Sequence, residues 1–413
     1  RMYHPEVLDD IEILVIDNNP TGPCAQALKK LGNWVPDYRY VPCESVRGTA
    51  IKGVVFREAN AEFVMCIDSH VMIAPGAIAQ LLRYLESNPD TRDLLQGPLI
   101  SDDLKSLSTH FKPGWSGGMY GTWSYDESGK EIDAPAFDIP MQGMGLFVCA
   151  KSAWPGFNPR FDGFVGEEGY VHEKIRQAGG RTLCLPFLRW LHRFDRPMGI
   201  RYRITWEDRI RNYMIAYDEL GLEMKEMIEH FKQHVGESTT LSTVQRVSEE
   251  MSSPLYPVDR VYCILDEKGL ENWPLLQKYL AAYQVLDRTL TVESAEFSDS
   301  QACARVMAHR HALLEAREGL CSNVLILDAS RMSDQQLEAL PLDSLAELDQ
   351  QRWNVLRLDT GDADHSFSGS AFPAAIACKR VRFDEILETL PESAEEIERW
   401  LESGHDLVNS YAR

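Results

Sequence analysis

The stretch "AEFVMCIDSH", residues 61–70, ends an apolar run with an acid and an imidazole two positions apart. In a β-strand, residues i and i+2 share a face, so Asp68 and His70 are expected to point together beyond the strand end. A carboxylate oxygen and an imidazole nitrogen together can hold a divalent cation. The competing interpretation is an aspartate at a loop entry beside an unrelated histidine.

The segments around this stretch alternate between strands and helices. The strands read "IEILVIDN" (11–18) and "YRYVPC" (38–43), and the helices read "GPCAQALKKLG" (22–32), "VRGTAIKGVVFREAN" (46–60) and "APGAIAQLLRYLESNP" (74–89). This order predicts an α/β fold with a mostly parallel, Rossmann-like sheet flanked by helices. Ligands of such sheets gather at the carboxyl ends of the strands, where Asp17, Asp68 and His70 lie.

The length, composition and net charge of the chain limit the class of protein that it can be. A chain of 413 residues is too long for one ordinary core, so two domains are expected. Its 44% hydrophobic and 25% charged residues are typical of soluble globular proteins. The net charge of −21 disfavours a large polyanion-binding surface, although a locally basic site is compatible with it.

The cysteines and the chain start suggest where the protein works. Nine cysteines are scattered singly, with no C-x-x-C pair, which argues against structural zinc and favours a reducing compartment, so we expect a cytoplasmic protein. No signal peptide and no membrane-spanning run is seen. The chain opens at Arg1 with what reads as a helix end and a strand, so a preceding strand is expected to lie before the first residue.

Three regions are expected along the chain. Residues 1–235 form the first domain, the polar residues 236–256 a linker, and residues 257–413, starting at "VDRVYCIL", a second and smaller α/β domain. Within the first domain, residues 102–135 lack clear periodicity and are expected to form an irregular functional loop or lid. Trp115 and Trp123 in this segment could stack on an acceptor sugar, or could belong to a locally packed aromatic cluster.

A second informative stretch covers residues 161–194, "FDGFVGEEGYVHEKIRQAGGRTLCLPFLRWLHRF". Glu167 and Glu168 precede a predicted helix over 170–178, and the strand "TLCLPF" is expected to deliver His192 at its end. Two carboxylates at a helix start suit the helix dipole, so simple capping is the competing interpretation for them.

Together these segments resemble the GT-A nucleotide-sugar glycosyltransferases, above all the polypeptide N-acetylgalactosaminyltransferases and the related galactosyltransferase motif. Those enzymes carry D-x-H, G-G-L-F, G-G-E, G-G and P-x5-H in this order. The matching segments here are Asp68-Ser69-His70, "QGMGLF" (142–147), "GEE" (166–168), "GG" (179–180) and "PFLRWLH" (186–192). The opening "ILVIDNNP" also resembles the strand of glycosyltransferase family 2 whose terminal aspartate meets the nucleoside.

The resemblance implies a metal-dependent hexosyl- or N-acetylhexosaminyltransferase that uses a UDP-sugar. It assigns Asp68, His70 and His192 to the metal, and this mixed nitrogen and oxygen set suits Mn²⁺ better than Mg²⁺ or Ca²⁺. Trp115 and Trp123 are the residues expected to contact the acceptor. The residues expected around the donor are Asp17, Arg47, Lys52, Ser69, Gly143, Gly145, Arg193 and Arg196.

Glu168 bears on the stereochemistry. Retaining relatives carry asparagine at this position, whereas inverting relatives carry an aspartate that serves as general base. A glutamate here favours inversion, with Glu168 deprotonating the acceptor and Glu167 holding sugar hydroxyls. Retention remains the alternative.

The second half resembles glycosyltransferase family 25 only loosely. Ala308-His309 and "LDAS" (327–330) replace the Ser-His and L-E-D-D of that family, which leaves Asp328 beside Ala329 and Ser330. Residues 257–413 are therefore expected to be a degenerate, non-catalytic GT-A-like domain. It could position the acceptor, form a homo-oligomer or buttress the first domain.

Two alternatives for the whole chain remain open at this point. The acceptor could be a hydroxymethylated DNA base instead of a glycan, glycolipid or protein, and the basic residues 189–203 would allow that. A non-enzymatic alternative is a sugar-nucleotide-binding protein whose active site has decayed.

Overall fold

The computed structural model describes residues 5–44, 46, 48–161, 163, 166–194, 204–332, 355–357 and 375–403. The chain divides into two compact units, residues 1–244 and 245–413. Both are mixed α/β structures, which confirms the predicted fold class. Within the described ranges, no helix is both long and apolar enough to cross a membrane.

Unit 1 holds thirteen described strands and six helices. The strands are β1 (Ile13–Asp17), β2 (Tyr38–Pro42), β3 (Phe63–Ile67), β4 (Val71–Ile73), β5 (Leu94–Gln96), β6 (Leu99–Ile100), β7 (Leu107–Ser108), β8 (His110–Ser116), β9 (Met119–Ser124), β10 (Phe137–Asp138), β11 (Leu146–Ala150), β12 (Thr182–Cys184) and β13 (Trp190–His192). The helices are α1 (Ala25–Lys30), α2 (Ile51–Glu58), α3 (Ala77–Ser87), α4 (Glu167–Gln177), α5 (Trp206–Leu220) and α6 (Lys225–His234).

The central sheet of unit 1 has the strand order β10-β12-β5-β11-β3. Strands β3, β5 and β12 run in one direction, and β11 lies antiparallel between β5 and β3. A second sheet has the order β4-β13-β6-β7, while β1 pairs in parallel with β2 alone. Helix α2 packs against both β1 and β3 and so links the first strand pair to the central sheet.

Strand β11 shows why the central sheet is covered on both faces. All five of its residues are buried. Phe147 and Cys149 enter one apolar cluster, while Leu146 and Val148 enter another, as the alternation of a strand requires. A continuous apolar run such as "LFVCA" is typical of a strand that is covered on both sides.

Two local predictions differ from the structure, and a third segment proves to be helical. The segment 102–135 contains the antiparallel hairpin of β8 and β9 instead of being wholly irregular, because its glycines take up the turns and bulge between short strand pieces. Helix α4 begins at Glu167, not at residue 170, so both glutamates lie in its first turn. The residues predicted as a linker include helix α7 (Glu237–Met251).

In its described residues, unit 2 contains one five-stranded sheet of order β15-β14-β16-β18-β17. Its strands are β14 (Arg260–Leu265), β15 (Thr289–Glu293), β16 (Asn323–Asp328), β17 (Val355–Arg357) and β18 (Ala375–Lys379). Its helices are α8 (Glu267–Ala282), α9 (Gln301–Glu318), α10 (Phe383–Thr389) and α11 (Ala394–Glu402). Strands β15, β14 and β16 are parallel and β18 is antiparallel to β16.

All nine cysteines lie in the described ranges and are free thiols. Eight of them are buried and Cys24 is exposed. Free buried thiols behave as small apolar core residues, as the scattered cysteine pattern predicts.

Candidate metal centre

The side chains of Asp68, His70 and His192 converge in unit 1. One ligand atom from each lies within 4.8 Å of the others. The Nε2 atoms of His70 and His192 are 2.9 Å apart, and His70 Nε2 is 3.9 Å from Asp68 Oδ2. The two imidazole rings meet nearly at right angles, at 81°. Two ring nitrogens and a carboxylate oxygen therefore face one point.

A turn positions the first two of these residues. Strand β3 ends at Ile67, and the Val71 N–H donates to the Asp68 carbonyl oxygen at 3.1 Å. The Asp68 N–H in turn donates to the carbonyl oxygen of Gly145 at 2.9 Å. The expected strand alternation of Asp68 and His70 is thus wrong in its geometry, because the chain has already left the strand, but the turn also brings the two side chains together.

Strand pairing positions the third residue. Strand β13 is antiparallel to β4, with His192 opposite Val71, and the Arg193 N–H donates to the His70 carbonyl oxygen at 3.1 Å. The predicted strand "TLCLPF" stops at Cys184, so His192 comes from the separate strand β13 and not from the end of that strand. Pairing with β4 is what sets His192 beside His70.

The donor set fits a divalent cation. Bonds of about 2.1 Å from a metal to two cis imidazole nitrogens place those nitrogens roughly 3 Å apart. The observed 2.9 Å between the His70 and His192 nitrogens matches that spacing. Two imidazoles and one carboxylate form a mixed nitrogen and oxygen set, unlike the all-oxygen shells that Ca²⁺ and Mg²⁺ prefer.

Two further side chains surround Asp68. The buried Lys52, on α2, places its Nζ 3.8 Å from Asp68 Oδ1. Cys66 lies two residues before Asp68, and burial raises the pKa of its thiol to about 12. Cys66 packs in an apolar core cluster, whereas Lys52 adds a positive charge beside the carboxylate.

Gly143 and Gly145 allow close packing within the protein. A Cβ on Gly145 would lie 3.0 Å from the Trp190 ring and 3.1 Å from the His192 ring. A Cβ on Gly143 would lie 3.3 Å from the Trp123 ring. The lack of a side chain at Gly145 thus lets its backbone reach both Asp68 and the ring of His192.

Asp17 ends β1 and is buried. Its carboxylate accepts hydrogen bonds from the Tyr40 hydroxyl at 2.7 Å and from the Asn19 N–H at 2.9 Å. Burial and this hydrogen bond raise the pKa of Tyr40 to about 12, so its hydroxyl stays a donor. Asp17 is therefore held rigidly at the carboxyl end of its strand.

The remaining predicted donor residues fall into two groups. Ser69 and Arg193 are exposed and adjoin the metal-site residues in the chain. Arg47 and Arg196 lie outside the described residues. Arg189, which belongs to the same basic segment as Arg193, donates to the Lys130 carbonyl oxygen at 2.5 Å and so has a structural partner.

Glu167 and Glu168 occupy the first turn of α4, whose N-cap is Gly166 at φ 108°. Only the backbone of these two glutamates is described, so the roles predicted for their side chains stay predictions. A carboxylate in a first helical turn is favoured by the partial positive charge of the helix start.

The two tryptophans lie at different ends of the β8–β9 hairpin. Trp123 packs on Phe111 with ring centroids 4.4 Å apart, and it is 36% exposed beside Gly143. Trp115 lies opposite Tyr120 at the turn end and packs among Tyr213, Tyr217, His230 and Phe231. The structure does not bring these two predicted acceptor residues together.

Two glutamines that the sequence reading missed hold the glycine segment. The Gln96 amide, with 0% exposure, donates to the carbonyl oxygens of Gly143 at 2.9 Å and Leu146 at 3.2 Å. The Gln142 amide donates to the carbonyl oxygens of Gly97 and Thr109 at 2.9 and 2.8 Å. The signal for Gln96 was its place in the otherwise apolar stretch "LLQGPLI", where a buried amide needs partners.

Comparison with known families gives one match by sequence. Residues 7–141 match the profile described as "Glycosyl transferase family 2". This confirms the family 2 resemblance for the part of unit 1 that contains Asp17, Lys52, Asp68 and His70. The matched part ends before Glu167 and His192. Among curated proteins, none matches the chain.

One solved structure with similarity to the chain is the crystal structure of GalNAc-T7 with UDP, GalNAc and Mn²⁺. It shares 15% sequence identity at a TM-score of 0.39, over 57% of this chain and 50% of that one. The match thus spans about half the length of that protein.

Proposed function

This chain carries a glycosyltransferase family 2-like domain, and on that premise we propose that it transfers a sugar from a nucleotide-sugar donor to a hydroxyl acceptor. We propose a UDP-sugar as the donor, a hexose or N-acetylhexosamine as the sugar and Mn²⁺ as the cofactor. The convergence of Asp68, His70 and His192 on one point is the observation that carries the proposal.

Departure of a nucleoside diphosphate builds negative charge on its phosphates. A divalent cation held by Asp68, His70 and His192 would supply the charge that stabilises this leaving group. Lys52, 3.8 Å from Asp68, is the side chain that we propose as a second positive charge for the same phosphates. The exposed Arg193 beside His192 could add a bidentate phosphate contact. Asp17 would hold the nucleoside at the end of β1, as the family resemblance implies.

We assign the acceptor side of the reaction to the start of α4. Glu168 would take the proton from the acceptor hydroxyl while Glu167 holds sugar hydroxyls, which is the arrangement for an inverting transfer. The expected product of a reaction followed by proton NMR is therefore a glycoside of inverted anomeric configuration. A product that retains the donor configuration would contradict the assignment of Glu168 as base and leave the metal site unaffected.

The first test is donor binding followed by thermal shift. We expect one UDP-sugar from a panel to raise the Tm of the wild-type protein only when Mn²⁺ is present, because the cation and the diphosphate share one corner of the site. Asp68→Asn should abolish the stabilisation, while the control Asp133→Asn, at an exposed loop position, should keep it.

Two outcomes would contradict the proposal. Equal stabilisation by the donor without metal would remove the metal from the mechanism. Stabilisation that survives Asp68→Asn would mean that the donor binds elsewhere. The intact ligand triad favours this function over that of a decayed binding protein, in which such a set would not be maintained together.

A further inference from the structure

A pocket of about 540 Å³ lies at the turn end of the β8–β9 hairpin. One side of it is aromatic and is formed by Trp115, Tyr120 and Tyr217. The lining is also acidic, with Glu223 just before α6 and Glu226 and Glu229 on that helix. The metal-centre residues do not line this pocket.

The aromatic side is held in place before any ligand arrives. The Tyr120 N–H donates to the Tyr213 hydroxyl at 3.0 Å, and the Gly118 N–H donates to His230 Nε2 at 3.0 Å. The Trp115 ring lies 5.2 Å from that of Tyr120 and 6.1 Å from that of Tyr217, between centroids. A pocket that is ordered in advance loses less conformational entropy when a ligand binds.

The chemistry of the lining selects a class of ligand. Sugar rings have an apolar face that packs on aromatic rings and a rim of hydroxyls that donate well to carboxylates. Burial raises the pKa of Tyr217, so its hydroxyl remains protonated and can also donate. Three glutamates line the pocket together with Lys225, and Lys232 pairs with Glu229 at 2.9 Å, so the lining keeps a net negative charge that makes an anionic ligand unfavourable.

The pocket continues toward the start of α4. A second cavity of about 230 Å³ shares Tyr120, Tyr217 and Leu222 with it, and reaches Gly166 and Gly169 on either side of Glu167 and Glu168. The other end of the hairpin, at Trp123, lies beside Gly143. Trp115 lies four positions along the strand from Phe111, which packs on Trp123. At about 3.3 Å per residue, the two ends of the hairpin are roughly 13 Å apart.

We infer that this pocket binds the acceptor of the transfer, and that the acceptor is a neutral oligosaccharide. A distal sugar stacks in the pocket of Trp115, Tyr120 and Tyr217, and the chain of sugars runs along the second cavity to the start of α4. That the bound oligosaccharide is the acceptor rests on the proposed function, but its binding can be tested without donor or metal.

The test is calorimetric titration of the full chain with maltotriose, cellotriose and chitotriose, and with trigalacturonate as the anionic probe. We expect at least one neutral trisaccharide to bind and trigalacturonate not to bind. Glu226→Gln should weaken binding about tenfold, the size of effect expected for one lost charge-assisted hydrogen bond. Tyr217→Phe should weaken it less, and the control Glu237→Gln, at the exposed first position of α7, should leave it unchanged.

Binding of none of the neutral probes, or equal binding of trigalacturonate, would overturn the inference. An aromatic and acidic pocket can also bind a quaternary ammonium group, which a titration with tetramethylammonium chloride tests. Binding of this cation and of none of the sugars would likewise overturn the inference. These variants keep the size of each side chain, so a loss of binding with unchanged Tm reports on the pocket and not on folding.

The Asp68→Asn protein separates this inference from the proposed function. Trisaccharide binding should be the same in Asp68→Asn as in the wild type, because the pocket does not include the metal centre. Donor binding without trisaccharide binding would contradict the inference about this pocket and would be compatible with the proposed transferase function. Trisaccharide binding without donor binding in any condition would overturn its role as an acceptor site.

Discussion

At the scale of single residues, the metal centre depends on a residue that has no side chain. Gly145 accepts the hydrogen bond from Asp68 N–H while its Cα faces the rings of Trp190 and His192. The family resemblance placed this glycine among the residues expected around the donor. The contact distances give a second reason for a glycine at this position, because a larger residue would displace the predicted metal ligand His192.

We therefore expect Gly145→Ala to weaken Mn²⁺ binding. The new methyl group would lie 3.1 Å from the His192 ring and 3.0 Å from that of Trp190, so His192 would have to move. A ligand displaced by a few tenths of an ångström should cost about tenfold in affinity, the scale seen when a ligand loses its orientation. Titration of Mn²⁺ by calorimetry measures the change.

The matched control is Gly169→Ala on α4, where a Cβ would make only an ordinary contact, at 3.4 Å from Met141. That variant should bind Mn²⁺ like the wild type. Equal affinity of the Gly145→Ala and wild-type proteins would show that His192 does not hold the metal.

At the scale of elements, the metal centre lies where several short strands and turns meet. The segment between residues 142 and 146 leaves the hydrogen-bonding pattern of the sheet just before β11 begins. The carbonyl oxygens of Gly143 and Leu146 accept from the side-chain amide of Gln96, at the end of β5. A buried side chain thus replaces a missing strand neighbour.

Gln96→Leu should consequently destabilise unit 1. Two buried carbonyl oxygens would lose their donor, a loss of about 2 kcal/mol in the free energy of unfolding. Urea denaturation gives the value, and Mn²⁺ binding should weaken in parallel because Gly145 lies between the two freed carbonyls. Gln177→Leu, at an exposed position of α4, should change stability by less than about 0.5 kcal/mol. A Gln96→Leu protein as stable as its control would contradict the role given to this amide.

At the scale of the whole molecule, the two units have separate cores and different strand-end chemistry. In unit 2, the carboxyl ends of β14 and β16 carry Asp266 and Asp328, and the guanidinium of Arg305 lies between them, 3.0 and 3.1 Å from their carboxylates. In this unit a guanidinium thus supplies the positive charge between the two strand-end carboxylates. Burial and the nearby Arg305 charge lower the pKa of His309 to about 3, so it stays neutral.

We expect calorimetry to resolve two unfolding transitions, one for each unit. Donor and Mn²⁺ should raise only the transition temperature of unit 1, since a ligand stabilises the folded unit that binds it. Arg305→Met should lower the transition temperature of unit 2 alone and cost about 3 kcal/mol in its free energy of unfolding, because the buried Asp328 and the partly buried Asp266 lose their partner. Arg317→Met, which removes an ion pair with the 74% exposed Asp384, should cost less than about 1 kcal/mol.

A single transition that shifts as a whole in every case would contradict the independence of the two units. A shift of the unit 2 transition by Mn²⁺ would contradict the assignment of Arg305 as its resident positive charge. The predicted boundaries 1–235 and 257–413, and a homo-oligomer formed through the second unit, remain predictions.

The sequence by itself determined the α/β class, the apolar strands and the identity of the three residues that converge at the metal centre. It could do so because strand and helix periodicity are local properties, and because the spacing of Asp68, His70 and His192 follows a known motif. It missed the hairpin in residues 102–135, since short strands rich in glycine leave little alternation to read.

Only the tertiary structure decided how those residues meet. The turn at Asp68, the pairing of β13 with β4 and the support from Gln96 all depend on contacts between residues far apart in the chain, which no local pattern encodes. The same holds for Trp115 and Trp123, which are eight residues apart in sequence yet lie at opposite ends of the β8–β9 hairpin. A strand reversal sends neighbours in sequence to different surroundings, and for that reason the pocket beside Trp115 could not be predicted from the sequence.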